Sequence, residues 1–316
     1  MSQVKARSKG IFAAAASAFF LGLAPIFGKQ SILLGFTPLA VVAVRTSAAC
    51  LLLFLFLLAF KRQFFYIYPL GLAGCLVAGF INGIGSIFYY ASLARIDAGI
   101  GQLLYSFYPL FMVFWLIIDR QSVSRVTIIR LLLVFPGVYL LLVNPAQKID
   151  LTGALFMVIA ALLYALHLLV NQRVLFEAPA PTVTFYTLLA MSATVLTAFL
   201  IFSPHLPSAD VSWTPLIFLS LITFFSRVTL FFGVKHLGGI QTALLGLGEL
   251  LVTVILAQVL LAEQLRPVQW LGALFIVVNL LLVIFDKPTN LKRNGRGFLY
   301  WLNPPSINPL DTPFHD

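Results

Sequence analysis

Ten apolar runs follow one another along this chain, at about 11–34, 37–60, 67–91, 97–118, 127–144, 151–172, 181–203, 213–234, 240–261 and 267–285. Each is close to the roughly 20 residues that carry a helix across the hydrocarbon core of a bilayer. Hydrophobic residues make up 61% of the chain and charged residues 9%, where a soluble domain carries about a quarter charged. No water-soluble core needs that much apolar material. The fold class expected is an all-α polytopic membrane protein with ten transmembrane helices. The connections are short and hold Pro, Gly or charge, as at Gly35–Pro38, Lys61–Gln63, Pro179–Pro181 and Pro204–Pro207, so no soluble domain fits between spans. Cys50 and Cys75 both fall inside apolar runs and read as small packing residues, not as a disulfide.

The runs repeat. An offset of 141 places Glu249 over Tyr108, Leu237 over Ile96 and Arg266 over Arg125 without a gap. An offset of 143 places Gly10–Gln30 over Gly153–Arg173 and Thr37-Pro38 over Ala180-Pro181. Each half therefore holds five spans. Five is odd, so the second half enters from the opposite side, which makes an inverted repeat with its binding site expected at the interface of the halves. The repetition also argues against reading the first span as a cleaved secretory signal. The organisation expected is a flank at 1–10, a first repeat at 11–146, a second at 147–286 and a tail at 287–316.

Net charge is +10, yet its placement points to a membrane surface and not to nucleic acid. With the N-terminus inside, 14 of the 20 Lys and Arg fall on the inner side, among them Lys5, Lys61, Arg62, Arg120, Arg130 and Arg173. Three, Arg95, Lys148 and Arg266, fall outside, and Lys29, Arg45 and Arg227 lie within spans. That bias puts both termini in the cytoplasm. The tail after Asp286 is basic, then aromatic at Phe298, Tyr300 and Trp301, then Pro-rich, and is expected to rest at the interface before becoming disordered.

Of ten acidic residues, Glu249 sits mid-span; the other nine fall at span ends, in loops or in the tail. A carboxylate at that depth is costly and marks a functional site by default.

These features resemble the drug/metabolite transporter superfamily, in particular the EamA-like ten-helix carriers, over about residues 10–286. The resemblance rests on the paired five-span halves, Arg45 after Thr37-Pro38, Tyr108-Pro109, and the run from Glu249 to Glu263 before Arg266-Pro267. Family members commonly carry a mid-span Pro and a Gly-Glu near the span end. This chain departs with Leu250 in place of the Pro and Ala262 before Glu263. The resemblance implies a cavity lined by spans 1–4 and 6–9, with spans 5 and 10 as peripheral scaffold or dimer contact. It also implies a secondary transporter, in the exporting direction, of a small organic metabolite such as an amino acid, and no enzyme. The setting expected is a plasma membrane of the bacterial inner-membrane kind. Other anionic or nucleoside-type metabolites are the alternative substrates, and a membrane scaffold or accessory protein or an intramembrane enzyme are the alternative classes.

Glu249 either binds a substrate amine or a coupling proton in the cavity, or forms a structural ion pair with Arg227. Arg45, about 13 Å deep at 1.5 Å rise per residue, either holds a carboxylate or phosphate or caps backbone carbonyls at a helix break. Lys29, near the outer end of span one, either reaches substrate or snorkels to water. Arg227 is read as lying near the inner end of span eight, where it snorkels or pairs. Gly79 and Gly83 form a small-xxx-small pair for close helix packing. Asn82 and Ser86 share a face of span three, and Tyr89 follows on the same span. Tyr105 pairs with Tyr108 on span four and Tyr164 with His167 on span six. Packing accounts for any one of these singly; together the two pairs favour a cavity for an amphiphilic organic ligand. Three intramembrane cations against one anion favour a substrate bearing a carboxylate or phosphate. The chain has no phosphate-binding loop ending in Lys-Ser/Thr and no Cys/His ligand cluster, so neither a cofactor nor a metal is expected.

Overall fold

The structure is a computed structural model that describes residues 2–96, 98–121, 123–142, 150–207, 211–261, 267–282 and 297–302. Lys148, Glu263, Arg266 and the basic run 287–296 lie outside the described residues. The ten expected spans are present as α1 (Ser2–Leu33), α2 (Pro38–Phe60), α3 (Pro69–Leu93), the pair α4 (Ala98–Tyr105) and α5 (Tyr108–Ile118), α6 (Arg125–Leu142), α7 (Leu151–Val174), α8 (Ala180–Phe202), α9 (Thr214–Leu237), the pair α10 (Gly239–Gly246) and α11 (Gly248–Leu261), and α12 (Pro267–Leu281). Six of these helices, α1, α2, α3, α7, α8 and α9, are each long and apolar enough to cross a membrane unaided. Helix α1 begins at Ser2, so most of the flank is helical, ahead of an apolar span that begins at Arg7.

Local sequence sets the helix starts. Pro occupies the first turn of α2, α3, α5, α8 and α9, where its missing N–H costs nothing. Thr37 caps α2 by accepting from Ala40 N at 3.2 Å. Asp150 caps α7, accepting from Thr152 N at 2.8 Å and Gly153 N at 3.2 Å. The Gly153 N–H above all holds the Asp150 carboxyl below the usual carboxylate range.

The halves are related by a half-turn, and the contacts prove it in pairs. Helix α1 packs on α9 as α7 packs on α3. Gly10 lies against His236 and Leu237, and its equivalent Gly153 lies against Arg95 and Ile96, the positions 141 residues earlier. Ser17 donates to the Ser226 carbonyl at 3.2 Å, and its equivalent Ala160 faces Gly85. With five spans per half, that axis lies in the membrane plane and the repeat is inverted, as expected from the odd count.

The fourth and ninth spans depart from a single-helix reading. Each breaks, and the breaks fall at equivalent positions: Tyr105 matches Gly246, and Tyr108 matches Glu249 in the first turn of α11. Pro109 explains the first break, because its ring clashes with the carbonyl four residues back, at Tyr105. The second break has Leu250 at that place. It is flanked by Gly246 and Gly248, and any Cβ on Gly246 would collide with the Tyr108 hydroxyl. The two broken spans cross at their breaks.

The remaining packing is built for lipid. Large apolar side chains such as Phe12, Leu51, Phe60 and Ile117 face outward, while Gly79 and Gly83 let α3 approach the α8 backbone at Thr187 and the side chain of Thr194. Spans five and ten pack on each other. Arg130, counted above among inner-flank cations, is instead fully buried in α6. Its Nε donates to Asn279 O at 3.2 Å, its guanidinium bonds Gln241, and the Asn279 amide bonds back to its carbonyl. Helix α6 starts at Arg125, which carries Arg130 more than one turn into the bundle.

Candidate functional site

A cavity sits where the halves meet, and the first half supplies its floor of polar side chains. Arg45 enters from α2. Its Nη1 donates to Thr223 Oγ1 of α9 at 3.2 Å and its Nη2 to Ser86 Oγ of α3 at 3.3 Å. The guanidinium stacks over the Tyr90 ring, 4.8 Å from the centroid. Hydroxyls and a ring hold it, not helix-end carbonyls, so the capping alternative does not describe it. Asn82 and Tyr89 line the same wall from α3, and Gln102 and Tyr105 from α4. Pro25, inside α1, leaves the Leu21 carbonyl without its helical donor, and Leu21 lies in the lining.

The second half contributes Tyr164 of α7, Arg227 of α9 and Glu249 of α11. Glu249 is pinned by its own turn. Gly22 of α1 leaves space for the Glu249 carbonyl, and Thr253 Oγ1 donates to both the Gly22 and Glu249 carbonyls at 2.9 Å. The first turn of a half-helix is also where backbone N–H groups lack partners. The twofold operates here with a chemical difference. Tyr108 donates to the Ala243 carbonyl at 2.8 Å. Moved by 141, that contact becomes Glu249 against Gln102, and Gln102 and Glu249 do line the same cavity. Gln102 in turn accepts from the Tyr89 hydroxyl at 3.1 Å. One equivalent position is closed by a phenol on backbone; the other holds a carboxylate in the cavity lining.

No ion pair joins Glu249 to Arg227 or Arg45 among the described residues, and Glu249 Oε1, Arg227 Nη1 and Arg45 Nε have no hydrogen-bond partner. Arg227 lies 5.8 Å from the Tyr164 ring centroid. The placement of Arg227 near the inner end of its span is corrected: α9 runs to Leu237, which puts Arg227 mid-helix and in the cavity wall. Tyr105 joins the walls through ring contacts of 5.0 Å to Tyr89 and 5.4 Å to Tyr164. The cavity volume is about 50 Å³, room for a few waters. An organic substrate needs the walls to part.

Six sequence candidates therefore converge here: Glu249, Arg45, Asn82, Tyr89, Tyr105 and Tyr164. Three do not line the cavity. Lys29 donates to the Leu93 and Ile96 carbonyls at 2.6 and 3.1 Å, at the C-terminal end of α3 where free carbonyls favour a cation. Tyr108 is held on Ala243 as described. His167 is fully buried behind Tyr164, with Nδ1 near Ala78 O at 3.2 Å and Asn171 at 2.9 Å. Span seven contributes nothing to the lining, because α8 packs behind α3 at Gly79 and Gly83. Gln102 was missed, although it lies three residues before Tyr105 on the same helical face. The offset that puts Arg227 on Ser86 also signalled its depth.

A two-half bundle with a polar cavity at its interface defines an integral membrane protein of the inverted-repeat class. The EamA-like transporter family matches residues 8–143 and 151–285. The chain belongs to that family and is embedded in a membrane. It is 26% identical over 229 residues to the "Uncharacterized transporter sll1319" of Synechocystis sp., a match that spans 68% of this chain and 66%, just under two thirds, of that relative. A solved crystal structure shares the fold with a TM-score of 0.68 at 17% identity, over 89% of this chain and 97% of the other.

Proposed function

We propose that this transporter is a secondary carrier that exports a small metabolite bearing a carboxylate, an amino acid being the case its cavity suits best. The observation that carries the reading is one carboxylate and two guanidiniums facing a single interface cavity without pairing to one another. Arg45 and Arg227 offer donors to a carboxylate. Glu249 offers an acceptor to an amine, or a site for a coupling proton between substrate cycles. Tyr89, Tyr105 and Tyr164 supply walls for an apolar side chain. Rocking of one half against the other opens the contracted cavity to each side in turn.

Purified protein tests this by thermal shift against amino acids, organic acids and nucleosides. A ligand at a hundred times its Kd stabilises by about 2.7 kcal/mol. An amino acid is expected to raise the melting temperature of the wild type and not of Arg45→Gln. Stabilisation only by compounds lacking a carboxylate contradicts the reading. The charge bias supports a cytoplasmic Lys61-Arg62 turn in a plasma membrane. A cysteine at position 61 is expected to resist an impermeant maleimide in intact cells and to react in inverted vesicles; the reverse pattern overturns the orientation.

A further inference from the structure

A short segment beyond the last span, Gly297–Leu302, docks at one end of the bundle. Residues Gly297–Leu302 form two tight turns, with Tyr300 N bonded to Gly297 O at 3.1 Å and Leu302 N to Leu299 O at 3.0 Å. Leu299 and Leu302 are each only 3% exposed. Leu302 lies against the Gly74 and Val174 positions of α3 and α7. The Phe298 ring sits 6.0 Å from the Trp115 ring of α5. The segment's backbone also makes a polar anchor: Leu299 N donates to Asp119 Oδ1 at 3.1 Å.

Asp119 is the centre of this junction. It is fully buried, it ends α5, and its other oxygen pairs with Arg173 at the end of α7. That ion pair joins a helix of the first half to a helix of the second. Arg120, in the left-handed region at φ 56, turns the chain sharply after α5 and leaves Asp119 facing inward. Gly297 is required at the contact, since a Cβ there would collide with the Asp119 carboxyl. Along α3 the docking point and the cavity share a face: Gly74, Ala78 and Asn82 are successive at four-residue spacing. Eight residues at 1.5 Å each put the docked segment about 12 Å from the cavity.

The geometry points to Gly297–Leu302 as a strap that latches the two halves together at the Asp119 end and so holds the cavity shut on that side. Release of the strap frees the Asp119–Arg173 junction from its cover and lets the halves part there. This uses the alternating-access reading only to give the strap something to gate. The test below needs no substrate, so its failure leaves the carrier reading standing.

The full chain carrying Cys50→Ala, Cys75→Ala and Ala78→Cys places one thiol between strap and cavity. Ala78 is fully buried, so labelling by an impermeant maleimide in detergent is expected to be slow. Adding Leu299→Asp, or separately Leu302→Asp, is expected to raise the labelling rate at position 78 by about tenfold or more, a shift in the open population. Melting temperature checks that each bundle is folded. A companion chain with its one thiol introduced by Leu302→Cys reports strap release in the Leu299→Asp background. Free labelling at position 302 with an unchanged rate at position 78 overturns the proposal. A strap that stays protected with Asp at 299 overturns it too, because Leu299 is then no anchor.

Discussion

Glu249→Gln is expected to lower substrate flux by about ten- to a hundredfold and to flatten its pH dependence, while the protein still folds. The size follows from the roughly 1.5–3 kcal/mol carried by a hydrogen bond to a charged group, at about 1.4 kcal/mol per tenfold. Gln keeps the volume but has neither a charge for an amine nor an exchangeable proton. The competing role, a structural partner for Arg227, predicts something else. Both single neutral variants would then be unstable and the double variant would recover. Because Glu249 and Arg227 face the cavity without pairing, no such recovery is expected. Flux and melting temperature for Glu249→Gln, Arg227→Gln and the double variant separate the two. A well-folded Glu249→Gln with wild-type flux and pH profile would end the functional claim.

The largest effect on stability is expected at Gly79. A Cβ there would collide with the Thr187 carbonyl and press on Ala190 and Met191 N of α8. Two backbones cross here with no room for a side chain, and neither is a flexible group able to move aside. Overpacking a close-packed site costs about 1–3 kcal/mol for small insertions, a large share of the roughly 5–15 kcal/mol that keeps a domain folded. Gly79→Ala is expected to lower the melting temperature, and Gly79→Leu to yield aggregated protein. Gly99→Ala is the matched control, because a Cβ there meets nothing and a helical Ala is favoured over Gly. Size-exclusion profiles and melting curves of the three variants decide it. A monodisperse, wild-type-like Gly79→Leu would contradict this packing.

Local sequence announced all ten spans, because a bilayer demands long apolar helices and Pro marks their starts. The repeat was equally legible: offsets of 141 and 143 carried Gly10 onto Gly153 and Tyr108 onto Glu249, and the contacts obey them. Long-range geometry was not. The break before Glu249 has no proline. It follows from Gly246 yielding to Tyr108 of the other half, a contact 138 residues apart in the chain. Lys29 read as a substrate contact or a snorkelling cation because the carbonyls it caps belong to a different helix. Arg227 looked terminal because α9 runs three residues past the expected end of its span. The tail aromatics read as interfacial, whereas the leucines three apart beside them, Leu299 and Leu302, are what bury.

Transport by this protein alone is measured most directly as flux in liposomes that contain it and no other protein. An amino acid that stabilises the wild type in the thermal-shift screen is the labelled solute. Saturable, protein-dependent uptake is expected, faster with an imposed proton gradient than without, and falling together with binding in Arg45→Gln. Uptake indistinguishable from protein-free liposomes, or uptake unaffected by Arg45→Gln, would contradict the carrier reading.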